Sequence, residues 1–312
     1  MEKVSNIYIH ILRRILSTLM RLSFSTRFTD FLLWPISKRL FGKYEEVVSI
    51  KEDLLIRVYG DMEDMVNKIL LFTSEYVPLA WEPGTARLVE VLSKKCDFAI
   101  VAGSHIGYYP LIVGSTNHNC KVHAFEPNPI NRSRCLDNIK LNNFNNVTVI
   151  DKALGKNVGR EKMYFDFGQS SFIDSKRKHK NEGIVNVTTL DQFEKSYIGG
   201  NVLMVLDAEG YEKNIIEGGT DFISKNKPTI IFEINENALR SAGSSSKELC
   251  SILKKIGYSL YIISEGSHKI SFDPNVKINL IPYEEYSLEP KVFVNAIAII
   301  DNEAIKQYVY KK

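Results

Sequence analysis

Short runs of consecutive apolar residues alternate with longer amphipathic segments through the last two thirds of the chain. Runs that are apolar throughout are typical of strands buried on both faces of a parallel sheet. The regular alternation predicts an α/β fold with a mostly parallel sheet and helices on both faces. The predicted strands are 98–102, 121–126, 147–151, 202–207, 228–234, 258–263 and 292–300, with helices near 107–117, 129–142, 189–197, 212–224 and 245–256.

Two segments depart from this alternation. Residues 155–188 surround a basic polar stretch at 175–180, which predicts a hairpin with a mobile loop over the ligand side of the sheet. Residues 44–97 predict a short strand at 54–58 and a helix at 85–94. We therefore divide the chain into a helical N-terminal extension (1–43), this upstream segment (44–97) and a main α/β domain (98–312).

Positive charge is concentrated in the N-terminal extension. Residues 1–43 hold eight Lys and Arg and two acidic residues, a charge of +6, which leaves −3 for the rest because the whole chain is +3. Within residues 7–24, apolar side chains recur at helical spacing, with Arg13, Arg14 and Arg21 on the opposite side. The pattern predicts a basic amphipathic helix that either lies on a membrane surface or packs on the main domain.

Other targeting and partner classes fit the sequence less well. The adjacent arginines argue against a transmembrane helix, and no basic patch with interleaved aromatics indicates nucleic-acid binding. The four cysteines are scattered without a Cys-x-x-Cys pair. This favours reduced core thiols in a cytoplasmic protein, at the inner face of the membrane if the helix binds lipid.

A nucleoside-binding unit is indicated by residues 98–129. The first predicted strand is followed by Gly103 and by Gly107, which opens a helix, and the second apolar run ends in Glu126. Backbone N–H groups at a helix N-terminus and a carboxylate about 20 residues further on suit a nucleoside with ribose hydroxyls. The sequence therefore predicts a nucleoside site at the ends of the first two strands.

Carboxylates also follow the later strands. Asp151 ends the third strand, Asp207 and Glu209 follow the fourth, and Glu233 lies at the end of the fifth. The carboxyl ends of parallel strands share one edge of a sheet, where ligands of open α/β sheets bind. We therefore expect these side chains to line one site.

The motifs, taken in this order, resemble the FkbM-type S-adenosylmethionine-dependent methyltransferases. The resemblance covers roughly residues 80–240, and Glu-Pro-Asn-Pro after the second strand and Asp-x-Glu-Gly after the fourth are its more specific parts. It implies a class I, Rossmann-like methyltransferase fold, S-adenosylmethionine as cofactor, and methyl transfer to a hydroxyl of a sugar, glycan or lipid-linked saccharide. The matching motifs are GSHIGYY, HAFEPNP, VIDKALG, SSF, TTLDQF, VLDAEGYEKNIIEGG and PTIIFEIN.

The resemblance also implies roles for individual residues. The loop against the methionine part of the cofactor would be formed by Gly103, Ser104, His105 and Gly107. Glu126 would accept hydrogen bonds from both ribose hydroxyls, and Asp151 and Ala153 would border the adenine. The acceptor's proton would pass to Asp207, Glu209 or Glu233, which could instead ligate a hard divalent cation such as Mg²⁺.

One position departs from the family pattern. Where the family usually reads Asp-Val-Gly-Ala-Asn-Ile-Gly, this chain reads VAGSHIG, so that Val101 replaces an Asp that normally helps hold the methionine end. His105 could compensate, or the chain could be a methyltransferase-fold binding protein that has lost catalysis. A dinucleotide-dependent oxidoreductase would share the glycine loop and Glu126 but would leave the Asp207–Gly210 motif unexplained.

Overall fold

The computed structural model describes two compact units. It covers residues 11–16, 18, 39, 46–51, 56–60, 65–73, 79–166, 169–171, 181–194, 199–264, 277–286, 293–300 and 303–309. One unit takes Met1–Pro83 with Ser267–Val276, and the other takes Gly84–Gly266 with Lys277–Lys312. The predicted loop at 175–180 and most of the predicted helix at 7–24 lie outside the described residues.

The smaller unit is built around an antiparallel strand pair and a helix. Strands β1 (Glu46–Lys51) and β2 (Ile56–Gly60) pair with each other, and helix α1 spans Met65–Thr73. Val48 and Ile50 alternate inward along β1, as a half-buried strand requires. The sequence predicted only the second strand, two residues too early, because β1 carries polar residues among its few apolar ones.

The N-terminal helical segment, residues 11–16, corrects the predicted division into faces. Arg13 is buried and donates from Nη1 to the Leu71 carbonyl at 2.5 Å, whereas Ile11 and Ile15 are half exposed. Leu71 lies in the last turn of α1, whose carbonyls have no partner within the helix. Arg13, placed opposite the apolar side chains, is therefore buried, and its Nη1 atom binds an acceptor distant in sequence.

The larger unit contains the remaining strands and helices. Its strands are β3 (Phe98–Ala102), β4 (Lys121–Phe125), β5 (Val147–Ile150), β6 (Ala153–Leu154), β7 (Gly159–Asp166), β8 (Gln169–Ser171), β9 (Asn181–Thr188), β10 (Val202–Leu206), β11 (Thr229–Asn235), β12 (Ser259–Ile263), β13 (Leu280–Pro282) and β14 (Phe293–Ile299). Helix α2 (Pro83–Ser93) begins at the boundary of the units and is followed by α3 (Tyr108–Thr116), α4 (Pro129–Leu141), α5 (Leu190–Phe193), α6 (Glu212–Glu217), α7 (Thr220–Asn226), α8 (Glu236–Ser241), α9 (Ser246–Lys255) and α10 (Glu303–Lys306). A short 3-10 helix spans Tyr283–Glu285.

The central sheet is mostly parallel, as predicted. Its order is β13-β12-β14-β11-β10-β3-β4-β5, in which the five strands from β11 to β5 run parallel and β14 is antiparallel to both its neighbours. The chain passes from β3 outward to β4 and β5, then returns to the other side of β3 as β10. The strand order therefore reverses between β3 and β10, which is where open α/β sheets bind their ligands.

The predicted helix at 212–224 is two helices, α6 and α7. They are separated at Gly218 and Gly219, where the backbone packs against another segment. A Cβ at Gly218 would lie 2.0 Å from the Gly155 carbonyl oxygen, so only glycine allows this approach. The sequence contains the two glycines, but the distant partner that requires them is a tertiary contact.

The predicted hairpin at 155–188 is confirmed. Strands β7 and β9 pair antiparallel through seven residue pairs, and the small sheet has the order β6-β9-β7-β8. Met163, Phe165 and Val185 form a buried cluster within this small sheet.

The four cysteines are free and buried, as the sequence predicted. Among the described residues, no helix has the length and apolar character needed to cross a membrane.

Candidate functional site

The glycine loop after β3 folds back onto the end of β4. The N–H groups of Gly103 and Ser104 both donate to the Phe125 carbonyl, at 3.1 and 3.0 Å. The Ser104 hydroxyl donates to the Val101 carbonyl at 3.1 Å, and the Gly107 N–H closes the turn on the Ser104 carbonyl at 2.7 Å. The loop is thus fixed before the first residue of α3.

Gly103 also brings the loop into backbone contact with the end of β10. Its φ is +77°, and a Cβ there would lie 1.8 Å from the Asp207 carbonyl oxygen. The Asp207 N–H in turn donates to the Ala102 carbonyl at 3.0 Å. The predicted cofactor loop and the predicted catalytic segment therefore meet at the point where the strand order reverses.

Glu126 lies at the end of β4 with its carboxylate turned toward the glycine loop. It is 4% exposed, and its two oxygens accept from the His105 N–H at 2.7 Å and the Asn128 N–H at 2.9 Å. Burial raises the pKa of Glu126 to about 7, although these backbone donors and the charge of Arg132 lower it. Each oxygen keeps a lone pair that a ligand hydroxyl can use.

Helix α4 holds the other side of this arrangement. The Asn128 side chain caps the helix by accepting from the Ile130 N–H at 2.9 Å, with Pro129 in the first turn. Further along, the Asn138 amide donates to the Ile106 carbonyl at 2.8 Å. The segment that carries Glu126 and the glycine loop are thus joined through one helix.

Asp151 and Ala153 lie at the end of β5, as predicted for residues bordering an adenine. The Asp151 side chain is 68% exposed and forms an ion pair of 2.7 Å with Arg132, whereas Ala153 is buried. The sequence analysis missed Arg132. A cation near the N-terminus of a helix, where the helix dipole disfavours it, was the available signal.

Val101 is a core residue of β3. It is 1% exposed and pairs with Val205 and Ala124 on the neighbouring strands. Phe98, Ile100 and Ala102 belong to the main buried cluster, so Val101 points to the opposite face of the sheet. The departure from the family pattern therefore replaces an acid with an apolar side chain that packs within the sheet.

The predicted catalytic residues after β10 sit on a tight loop. Asp207 and Glu209 are half-buried, and Glu209 and Gly210 have φ values of +51° and +100°. A non-glycine residue at such a φ costs on the order of 1 kcal/mol and persists only when its surroundings fix it. The loop therefore needs an internal anchor.

Glu212 is that anchor, and the sequence analysis missed it. It is 1% exposed, and its Oε1 accepts from the Ala208 N–H at 2.8 Å and the Gly210 N–H at 3.3 Å, on either side of Glu209. Burial, followed by the charge of Glu233, raises the pKa of Glu212 to about 8. The third acid of the motif DAEGYE was the available signal.

Replacing Glu212 with Gln should raise the free energy of unfolding at alkaline pH. The folded pKa of Glu212 lies above the ordinary value of 4.5, so stability is lost as the pH rises from about 4.5 through about 8. Gln keeps the carbonyl oxygen for both N–H groups and cannot ionise. Urea unfolding between pH of about 4.5 and about 8 measures the effect. The free energy of unfolding gained by the variant over the wild type should grow with pH, from near zero to on the order of a few kcal/mol. Glu217→Gln, on the exposed side of the same helix, should show no such growth.

Glu233 lies near the end of β11, buried at 6% exposure opposite Asn295 of β14. Its charge acts on Glu212, so the ends of β10 and β11 are electrostatically linked. Lys213 pairs with Glu217 and Glu248, and Arg240 pairs with Glu236. Both cations therefore form ion pairs with acids on helices α6, α8 and α9.

Metal coordination finds no support in the described part of the chain. No group of three or more His, Cys, Asp or Glu side chains is placed to hold an ion there. The small sheet contacts the β10 loop instead, through a hydrogen bond of 2.9 Å from the Tyr211 hydroxyl to Glu161 of β7. The edge of the sheet formed by the carboxyl ends of its parallel strands, here called the rim, thus holds three segments together by protein contacts. They are the predicted cofactor loop, Glu126 and the Asp207–Gly210 segment.

Three solved structures are similar to this chain at low sequence identity. A methyltransferase FkbM from Methylobacillus flagellatus KT is 16% identical with a TM-score of 0.42, over 65% of this chain and 43% of that one. A putative caffeoyl-CoA O-methyltransferase from Staphylococcus aureus is 13% identical, with a TM-score of 0.39, over 69% and 82%. M. jannaschii TYW2, solved in complex with AdoMet, is 14% identical, with a TM-score of 0.39, over 81% and 84%. The chain spans less than half the length of the first of these proteins.

The family assignment rests on the match of the sequence to a family model. No curated protein matches it. Residues 102–260, just over half of the chain, match the Methyltransferase FkbM domain, and this range contains both the glycine loop with Glu126 and the Asp207–Glu233 rim. The protein therefore belongs to the FkbM methyltransferase domain family.

Proposed function

We propose that the protein is an S-adenosylmethionine-dependent O-methyltransferase acting on a hydroxyl of a sugar, glycan or lipid-linked saccharide. The observation that carries the proposal is the contact of two motifs at the reversal of strand order. There the Gly103–Gly107 loop, whose His105 N–H binds Glu126, lies against the backbone of Asp207. A nucleoside donor and an acceptor hydroxyl would approach each other at this point.

The cofactor residues have distinct tasks in this proposal. Glu126 would accept the ribose hydroxyls, and Asp151 and Ala153 would border the adenine. The backbone of the Gly103–Gly107 loop would approach the methionine part, because glycine leaves no side chain in the way. Since Val101 supplies no charge at that end, we assign the compensating role to His105, the residue of the Gly103–Gly107 loop with an ionisable side chain.

The acceptor side would be served by the half-buried carboxylates. Bound S-adenosylmethionine supplies an electrophilic methyl group on a sulfonium sulfur. Asp207 or Glu209 would take the hydroxyl proton, so that the acceptor oxygen could receive the methyl group. Both side chains are partly accessible, whereas Glu233 is buried and is the third candidate. A charged carboxylate there would also orient the hydroxyl for in-line transfer.

Calorimetric titration of the wild-type protein with S-adenosylhomocysteine tests the cofactor assignment. Binding in the micromolar range is expected for a product nucleoside held by several charged hydrogen bonds. Absence of binding at any pH from 6 to 9 would refute the methyltransferase proposal and favour a binding module that has lost catalysis. Repeating the titration with Mg²⁺ and with a chelator should give the same affinity.

We also propose a peripheral membrane contact through the N-terminal helical segment. Ile11 and Ile15 are 50% and 51% exposed beside the exposed Arg14, a surface that suits anionic lipid. Replacing both isoleucines with Asn should reduce co-sedimentation with phosphatidylglycerol vesicles by about tenfold, from the apolar area withdrawn from lipid. Val47→Asn, at a 40% exposed strand position, is the control. Unchanged co-sedimentation of the double variant would remove this part of the proposal.

A further inference from the structure

Arg132 occupies the junction between the ends of β4 and β5. Its Nη1 atom lies 3.1 Å from the Glu126 carbonyl oxygen, 2.9 Å from the Pro127 carbonyl oxygen and 2.7 Å from Asp151 Oδ1. The side chain is 20% exposed, so these contacts are partly shielded from water. One guanidinium nitrogen therefore binds both the backbone that carries Glu126 and the acid that ends β5.

This placement is electrostatically costly unless local acceptors compensate for it. Arg132 follows the first turn of α4, where the helix dipole disfavours a cation by roughly 0.3–1 kcal/mol. Two carbonyl oxygens and a carboxylate supply the compensation, and charge-assisted hydrogen bonds of this kind are the stronger ones. A surface arginine would avoid this end of the helix, so the position indicates a role tied to the strand ends.

We propose that Arg132 is a positioning residue of the cofactor site, which fastens the ends of β4 and β5 together and places its positive charge beside Glu126. The inference rests on the proposed function, because it assumes that Glu126 receives a nucleoside ribose. Arg132 acts through Glu126 and Asp151 and needs no contact with the cofactor. It would thereby hold the ribose residue and the adenine-bordering residue in one geometry.

Among the described residues, few charged groups besides Arg132 affect the ionisation of Glu126. The groups that face Glu126 are the backbone N–H groups of His105 and Asn128, and the side chains of Arg132 and Cys135 from α4. Burial raises the pKa of the Cys135 thiol, so it stays neutral. The charge of Arg132 lowers the pKa of Glu126 against the larger effect of burial, leaving it at about 7. Loss of that charge should raise the pKa of Glu126 further.

The direction of the pH effect follows from this balance. Ribose hydroxyls donate to the ionised carboxylate, so cofactor affinity should fall as the pH drops below the pKa of Glu126. Arg132→Gln should raise the pKa of Glu126, so a smaller fraction of the carboxyl is ionised at pH 7. The variant should therefore bind S-adenosylhomocysteine at least about twofold more weakly at pH 7, and this charge-dependent defect should shrink toward pH 9.

The experiment is a calorimetric titration with S-adenosylhomocysteine from pH 6 to pH 9. It compares the wild type, Arg132→Gln, Arg132→Lys and Lys140→Gln. Arg132→Lys preserves the charge and should keep the wild-type pH midpoint, and Lys140→Gln removes a cation from the far end of the same helix. His105→Asn, compatible with the φ of +50° at that position, removes the other titrating group. Carboxyl carbon shifts of Glu126 in the unliganded protein give its pKa directly.

The outcomes separate the two proposals. If the wild type binds and the Arg132→Gln defect shrinks with rising pH, Arg132 has the proposed role. A defect of equal size at every pH, or an unchanged Glu126 titration, would show a merely structural arginine and overturn the inference while leaving the cofactor assignment intact. A wild type that binds at no pH overturns both.

Discussion

Glu126→Ala is expected to weaken S-adenosylhomocysteine binding at least about 100-fold. Hydrogen bonds to a charged group contribute about 1.5–3 kcal/mol each, and the substitution removes two from the ribose. It also releases the His105 and Asn128 N–H groups that the carboxylate holds in place. Isothermal titration at pH 8, where the carboxylate is ionised, measures the effect.

Glu126→Gln should bind S-adenosylhomocysteine almost as weakly as Glu126→Ala. Both carboxylate oxygens accept from a backbone N–H, so the amide NH2 of Gln must face one of these donors in either orientation. Glu248→Ala, an exposed acid on α9, is the matched control and should bind as the wild type does. If Glu126→Ala bound S-adenosylhomocysteine within threefold of the wild type, the ribose assignment would be wrong.

Gly103→Ala is expected to lower the free energy of unfolding by about 3 kcal/mol and to abolish cofactor binding. Two independent penalties combine at this position. The φ of +77° is unfavourable for alanine, and its Cβ would overlap the Asp207 carbonyl oxygen, which belongs to the backbone and cannot turn aside. Either the loop after β3 or the loop after β10 must move. This movement separates the proposed cofactor side of the site from the proposed acceptor side.

Two other glycines allow the penalties to be measured separately. Gly243 has a similar φ of +74° with nothing near its missing Cβ, so Gly243→Ala should cost only the backbone strain, about 1–2 kcal/mol. Gly159 also has open space, and Gly159→Ala should change stability by less than about 1 kcal/mol. Urea unfolding of the three variants gives the series. Equal losses at Gly103 and Gly243 would show that the contact with Asp207 has no energetic weight.

The sheet was predictable because its signal is local. Continuous apolar runs such as 98–102 and 202–206 can be buried only as strands covered on both sides, and the segments between them have helical length. The misses have different causes. Strand β1 carries polar residues among its few apolar ones, and the break between α6 and α7 depends on a contact with a distant segment, which periodicity does not encode.

The site was predictable in part for the same reason. Gly103 and Glu126 follow their strands directly, so the position along the chain already placed them at one edge of the sheet. Arg132 and Glu212 were not found, because each binds backbone groups through its side chain, and the pattern of apolar and polar residues does not reveal such hydrogen bonds. The burial of Arg13 against the Leu71 carbonyl escaped the pattern of residues 7–24 for the same reason.

The sequence by itself determined the α/β architecture, the family and the residues at the strand ends, since these follow from runs and motifs a few residues long. Only the tertiary structure decided how the rim is held together. The Gly103 backbone lies against that of Asp207, two N–H groups bind Glu212, and three oxygens surround Arg132. These contacts join residues from different elements. Their energies arise from burial and charge in three dimensions, and no pattern along the chain specifies them.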